Sequence, residues 1–272
     1  MRQEYDFGDL YVRHAVDDCP EDRFFAMHVH ERYEIYYFVS GSAEYLVEGS
    51  RYPLEPGSLL VMRPVESHRV KILGSKPYER FALNFFPAVL DGIDPQQRLM
   101  KPFEDRPLGR GNLYAPAEFG DVDLERIFMQ MCEPGEEDYG KRLKLLTGLI
   151  RLLDMLHEAY TQRGSAEYMP PQSLSEQMVS YVNMHLFDKL SVPDLAEQFF
   201  LSTSQFSRVF KQATGVAPWE YITIKRLTAA KEKIRRGIPA NAASESCGFG
   251  DYSAFYRAYT KYFGCTPKVD SL

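Results

Sequence analysis

What the chain lacks narrows it first. No apolar run approaches the roughly 20 residues needed to span a bilayer. The opening Met1-Arg-Gln-Glu-Tyr-Asp-Phe has no apolar core of the kind a secretory signal carries, so neither a membrane partner nor export is expected. Cysteine is scarce: Cys19, Cys132, Cys247 and Cys265 stand far apart in 272 residues and form no CxxC pair. A chain of this length builds its cores without covalent staples, so reduced thiols and a cytoplasmic setting are expected rather than a disulfide framework. Also missing are a GxSxG nucleophile turn, a glycine-rich phosphate loop and a dinucleotide fingerprint. Without them, enzyme activity would have to rest on a bound metal.

Basic charge is in deficit overall, at a net −6, but it is unevenly spread. Residues 1–173 hold 20 basic and 29 acidic side chains, whereas residues 174–272 hold 12 basic and 9 acidic. The apolar fraction of 44% excludes wholesale disorder. At roughly 100–200 residues per domain the length suggests two domains, and the change of sign makes the C-terminal one the candidate for an anionic partner.

Residues 1–120 read as short strands from Leu10 to about Phe86. Tyr33–Ser40 is aromatic and β-branched, Ala43–Glu48 alternates up to Gly49-Ser50, and Arg51–Leu54, Ser58–Met62 and Glu79–Phe86 follow between Gly and Pro punctuation. Many short strands at regular spacing signal a sandwich or barrel. Residues 87–120, with five prolines, read as irregular connection plus one short helix or strand. Residues 121–163 are helical in pattern. Leu146, Leu149, Leu153, Leu156 and Tyr160 repeat at 3-4-3-4 spacing, the seam of a helix that packs on its own barrel and also pairs with a second subunit. Residues 164–173 read as a linker.

From Leu174 onward the pattern is helical with clear start signals. Ser191-Val-Pro-Asp194 is close to a capping box and Ser202-Thr-Ser-Gln205 matches one, a few residues apart, as in a helix-turn-helix. Phe206-x-Arg208-x-Phe210, Gly215 and Pro218 recur at a constant offset of 49 as Phe255-x-Arg257-x-Tyr259, Gly264 and Pro267. Aromatics at i and i+4 share a face and should be core. Gly215 and Gly264 should close their helices in the left-handed conformation. The groups left for base edges and phosphates are Thr203, Ser204, Ser207, Arg208 and Lys211 on the first helix, and Tyr252, Ser253, Tyr256, Arg257 and Lys261 on the second. Glu197 and Asp251 are alternative ionic partners for the two arginines within the domain.

Residues 191–267 resemble the DNA-binding domain of the AraC/XylS family of bacterial transcription regulators. Leu-Ser-Val-Pro-Asp-Leu-Ala, Leu-Ser-Thr-Ser-Gln-Phe-Ser-Arg-Val-Phe-Lys-Gln-Ala-Thr-Gly-Val-Ala-Pro and Cys-Gly-Phe-Gly-Asp-Tyr-Ser-Ala-Phe-Tyr-Arg-Ala-Tyr carry the likeness. It implies two helix-turn-helix units, about 191–215 and 239–264, joined by a long helix from about Trp219 to Arg236. Each recognition helix would enter one of two successive major grooves of double-stranded promoter DNA. The chain departs from the family at Ala242-Ala243, where Ile-Ala is usual, and in its tyrosine-rich second recognition helix.

In the acidic half, His28-Val-His30-x3-Glu34-x6-Gly41, followed by His68, has the spacing of the first cupin motif, HxHx3Ex6G. Alternation places His28 and His30 on one face of a strand, and with Glu34 and His68 they form a three-nitrogen, one-oxygen donor set suited to iron, manganese, zinc or nickel. The second motif is eroded at Arg63-Pro64-Val65 and Ile72. Tyr33–Gly41 and Leu54–His68 resemble the cupin effector domain of AraC-type regulators, which implies that His28, His30, Glu34, Tyr36 and His68 line a small-molecule pocket, with a sugar among the candidates. No metal or other cofactor is required on this reading. Phe24, Tyr36, Phe38, Phe81 and Phe85 suit either ring stacking or a barrel core, while His14, His157 and His185 lack partners at ligand spacing.

These readings predict an α+β multidomain chain: a cupin β-barrel or jelly roll over 1–120, a helical packing and dimerisation segment over 121–163, and an all-α domain of two helix-turn-helix units over 174–272. The function expected is a one-component transcription regulator and homodimer that binds an effector and promoter DNA. The resemblance adds activation through RNA polymerase. The alternative is a cupin metalloenzyme, of isomerase or dioxygenase type, with a DNA-binding tail.

Overall fold

The computed structural model describes residues 2–133, 137–164 and 173–271; residues 165–172, most of the expected linker, lie outside them. The N-terminal half holds β1 (Arg2–Asp6), β2 (Leu10–Asp17), β3 (Tyr33–Ser40), β4 (Ala43–Val47), β5 (Ser50–Pro53), β6 (Leu59–Met62), β7 (His68–Ile72), β8 (Tyr78–Phe85) and β9 (Leu113–Tyr114). They form two antiparallel sheets, ordered β1-β2-β8-β3-β6-β9 and β5-β4-β7. Both faces of the larger sheet are covered, which explains why β3 and β6 read as nearly unbroken apolar runs. Ile35, Tyr37, Val61, Phe81 and Phe85 face outward onto helices, while Tyr36, Phe38, Leu60 and Met62 face the smaller sheet. Two of the aromatics considered for ring stacking, Phe81 and Phe85, therefore belong to the helix-facing core. β1 and β7 escaped the sequence reading because Arg, Glu, Asp and Lys at alternate positions break their apolar signal.

Between Pro87 and Phe119 the chain makes 3-10 turns, α1 (Lys101–Glu104) and β9, as the proline-rich composition implied. α2 (Leu124–Met131) and α3 (Asp138–Arg163) then cover the outer face of the larger sheet. The heptad seam of α3 is spent there: Leu149, Leu153 and Leu156 are fully buried, and Leu146 and Tyr160 pack against the same core. The face of α3 still open is a different one, with Tyr139 and Leu143 exposed.

α4 (Leu174–Met184), α5 (Val192–Gln198), α6 (Thr203–Thr214), α7 (Pro218–Arg235), α8 (Ala240–Ser246) and α9 (Tyr252–Phe263) make up the C-terminal domain. Ser191 and Ser202 cap α5 and α6 as read, Ser202 in a full capping box, and Gly215 and Gly264 end α6 and α9 at φ 88° and 70°. Phe206, Phe210, Phe255 and Tyr259 are all fully buried, so the repeated aromatics are the cores of the two units. Arg226 of α7 joins those units by donating to the carbonyls of Leu186 and Asp188 after α4 (2.7 and 2.6 Å) and of Gly248 after α8 (2.7 Å).

The two domains interlock. Met27 and Val29 enter the apolar core formed by α4, α6 and α7. At the β4–β5 hairpin, Val47 pairs with Ser50 across a two-residue turn, Glu48-Gly49, with φ 49° and 84°. That is the primed turn in which Asn-Gly is favoured. Here the strained residue is a glutamate whose carboxylate reaches across the interface. It accepts from Lys225 Nζ (2.6 Å), Asn183 Nδ2 (2.6 Å), the Tyr221 hydroxyl and the Ser67 backbone N–H (2.6 Å). Both ends of the Glu48–Lys225 pair are buried.

Candidate functional site

His28 and His30 lie on an extended segment held by one antiparallel bridge, His28 to His68, rather than on a regular strand. The alternation still operates. His28 and His30 point into the N-terminal domain, while Met27 and Val29 point into the C-terminal helical domain. Glu31, the next outward position, pairs with Lys231 (3.2 Å) and with Arg235 of α7. Glu34 enters from β3 and His68 from the start of β7.

The four donor groups come within 4.8 Å of one another. Each imidazole has its Nδ1 on a backbone carbonyl: His28 on Ala26 (3.2 Å), His30 on Arg32 (2.8 Å) and His68 on Glu66 (2.8 Å). A carbonyl only accepts, so these Nδ1 atoms carry hydrogen and each Nε2 is turned toward the shared centre. Glu34 Oε2 meets His30 Nε2 at 2.7 Å, Asn84 Nδ2 at 2.9 Å and His68 Nε2 at 3.6 Å. His68 Nε2 is buried with no hydrogen-bond partner. Burial alone would push the Glu34 carboxyl up, but the histidines beside it hold it well below the usual carboxylate range. Burial likewise opposes a proton on His68, and the Glu34 carboxylate overcomes this and raises its affinity for one.

A cavity of about 340 Å³ opens beside this cluster, lined by His28, His30, Glu34, Tyr36, Arg13 and Arg80 among others. Of the aromatics considered, Phe24 and Tyr36 line it, and Tyr36 shares a short hydroxyl contact with Tyr78. A larger groove of about 760 Å³ lies where the 87–104 segment approaches the end of α7. There the Tyr33 hydroxyl and Arg63 meet Glu104, and Arg236 pairs with Glu232; among the described residues the groove gathers no donor cluster. The remaining histidines lie outside the cluster: His14 is buried on Glu79 (2.7 Å), His185 pairs with Asp188 (2.8 Å), and His157 sits on α3 with its Nδ1 buried and without a hydrogen bond.

On the other domain, Thr203, Ser204, Arg208 and Lys211 are exposed along α6, with Ser207 half-buried, and Tyr252, Ser253, Tyr256, Arg257 and Lys261 are exposed along α9. Among the described residues neither Arg208 nor Arg257 forms an ion pair. Asp251 instead caps α9 through the Ser253 and Ala254 N–H groups (3.2 and 2.8 Å). Sequence reasoning missed Glu48, Lys225, Arg226 and Arg13. The signal for Glu48 was available in Glu-Gly at a hairpin tip; the others gave none.

A family model described as an AraC-like ligand binding domain matches residues 11–168, more than half of the chain, and one described as a helix-turn-helix domain matches residues 195–269. The chain belongs to the AraC family. Over 89 residues this AraC-family chain is 37% identical to the probable transcriptional regulator LumQ of Photobacterium leiognathi, a match covering 32% of this chain and 36% of LumQ, so the chain spans only about a third of that relative. It is 21% identical over 272 residues to the Msm operon regulatory protein of Streptococcus mutans, covering 97% of this chain and 94% of that protein. Among solved structures, unsaturated fatty acid-bound ToxT of Vibrio cholerae aligns over 97% of this chain and 95% of its own at 12% identity, with a TM-score of 0.43. No helix of the described residues is long and apolar enough to cross a membrane.

Proposed function

We propose that this AraC-family chain is a one-component transcription regulator that binds a small effector in the cupin cavity and promoter DNA through α6 and α9. The observation that carries the coupling is the Met27–Glu31 segment, whose even positions face the cavity and whose odd positions are packed or ion-paired on the DNA-binding domain. A ligand that moves His28 or His30 also moves Met27, Val29 and Glu31. Its influence on DNA affinity equals its differential affinity for the two arrangements of the domains. We read the chain as a regulator without turnover of its own, acting in the cytoplasm.

The donor set fits a divalent cation: three Nε2 atoms with fixed tautomers and one carboxylate converge, and the buried Nε2 of His68 makes no hydrogen bond. His28, His30, Glu34 and His68 would hold the ion, which when bound supplies a Lewis-acidic anchor for an effector oxygen. Metal analysis of the purified chain, and a melting temperature that falls on chelation, test this against the metal-free pocket expected from the eroded second motif.

The coupling is tested by anisotropy on DNA from the region upstream of its own gene, with an effector selected by thermal shift. His68→Ala is expected to abolish the effector-dependent change in affinity and leave unliganded binding intact; equal loss of folding in the variant would return the histidine to a structural role. Activation through RNA polymerase belongs to the same proposal and is read by in vitro transcription. So does a homodimer over the open face of α3, read by sedimentation of the wild type against Leu143→Glu.

A further inference from the structure

The charges that line the cupin cavity do not balance. Glu34 is matched by His30 and His68, and Arg80 by Asp17, with its guanidinium also over the Tyr78 ring at 4.4 Å. Arg13 is left. It makes no hydrogen bond or ion pair with any other described residue, and its Nε is buried without a partner. A guanidinium that is partly desolvated and unmatched is unfavourable unless something supplies the missing acceptor.

Register fixes where that acceptor must sit. Arg13 pairs with Ala82, which pairs with Tyr36; one inward-facing rung away, Tyr11 pairs with Asn84, which pairs with Glu34. Two residues along a strand are about 7 Å. The small side chains of Ala15 and Ala82 leave room beside Arg13. The backbone position of Arg13 thus lies one inward-facing rung, about 7 Å of strand rise, from that of Glu34 and Asn84, which with His30 line the same cavity and offer hydrogen bonds suited to hydroxyls.

We propose that the effector is a compact polyhydroxylated carboxylate, a sugar acid or related hydroxy acid, whose carboxylate pairs with Arg13 while its hydroxyls meet Glu34, Asn84 and His30. This rests on the cupin cavity being the effector site and names the class of ligand it takes. A cavity of about 340 Å³ is at the small end of ligand sites, consistent with a six-carbon acid. Arg13 is the residue that separates such acids from neutral sugars of the same shape.

The test is calorimetric titration of the full chain with D-glucuronate against its methyl ester and D-gluconate against D-glucitol, within a panel of five- and six-carbon aldonates and uronates. At least one acid is expected to bind about 10–100-fold more tightly than its neutral match, as for a charge-assisted hydrogen bond. Arg13→Gln should erase that ratio and Arg13→Lys should restore part of it, with melting curves confirming the fold. Neutral matches that bind as well as the acids, a ratio unchanged in Arg13→Gln, or no binding by any acid at millimolar concentration each overturn the proposal. If a neutral sugar binds and His30→Ala abolishes it, the cavity remains the effector site and only the acid preference falls. If a bound ligand leaves affinity for upstream DNA unchanged, the regulatory coupling itself falls.

Discussion

Arg208 lies six residues beyond its Ser202 cap, about 1.7 turns along α6, exposed and without an ionic partner. Glu197, the carboxylate that could have claimed it, does not. Removing its side chain should therefore leave the melting temperature unchanged and weaken DNA binding by about 1–3 kcal/mol if it reads guanine, with relaxed preference at one base pair. Uniform weakening across sequences, with a salt slope reduced by about one, would mark a phosphate contact instead. Glu66 offers the opposite case, a charge fully committed inside the fold. Burial would push its carboxyl up, but Arg106, bidentate at 2.7 and 2.8 Å, and the Gly109 N–H (2.8 Å) hold it at about 2. Its folded-state affinity for a proton is lower than the unfolded chain's, so its contribution is complete above about pH 4.5 and drains away as the pH falls toward 2. Glu66→Gln should flatten the acid limb of a melting temperature–pH curve over that window and lower stability at neutral pH.

At the level of elements, what could be read in advance depended on how far along the chain the cause lay. The caps at Ser191 and Ser202, the αL glycines and the aromatic stripes of α6 and α9 are set by neighbours within four residues, and they stand where their spacing placed them. His28, His30, Glu34 and His68 were legible because a donor set imposes spacing of its own. α3 shows the limit: its 3-4 repeat announced a buried seam but not what buries it, and the answer is the barrel. Arg13 and Lys225 look like ordinary surface cations in the sequence, and only register and docking give them their surroundings. Gly109 is another long-range case. At φ 69° its missing Cβ leaves room for Glu48; an added methyl would meet Glu48 Cβ at 2.6 Å and the Val47 carbonyl at 2.8 Å. Because that obstacle is backbone and cannot swing aside, Gly109→Ala should destabilise the cupin by about 2 kcal/mol or more, measured by denaturant unfolding.

Taken whole, the molecule has an interface that belongs to both domains. The caps and both aromatic cores of the C-terminal domain are its own, but Met27 and Val29 close the first of those cores and Glu48 neutralises Lys225. A fragment of residues 173–271 should fold and bind DNA with a steep loss of affinity in salt, yet melt below the same domain in the full chain. A fragment that melts at the same temperature would show that the contacts from Met27, Val29 and Glu48 add nothing to its stability. Glu48 also sets two interests of the chain against each other. The tip of a hairpin is where a sheet tolerates substitution most freely, and Gly or Asn at position 48 would relax a backbone held at φ 49°. Such a change would favour the isolated cupin and discard its anchor on the second domain. Codon 48 is accordingly where a genetic selection for signal-blind regulators should find variants whose cupin still folds while the full chain, with Lys225 left buried and unmatched, melts lower and no longer responds.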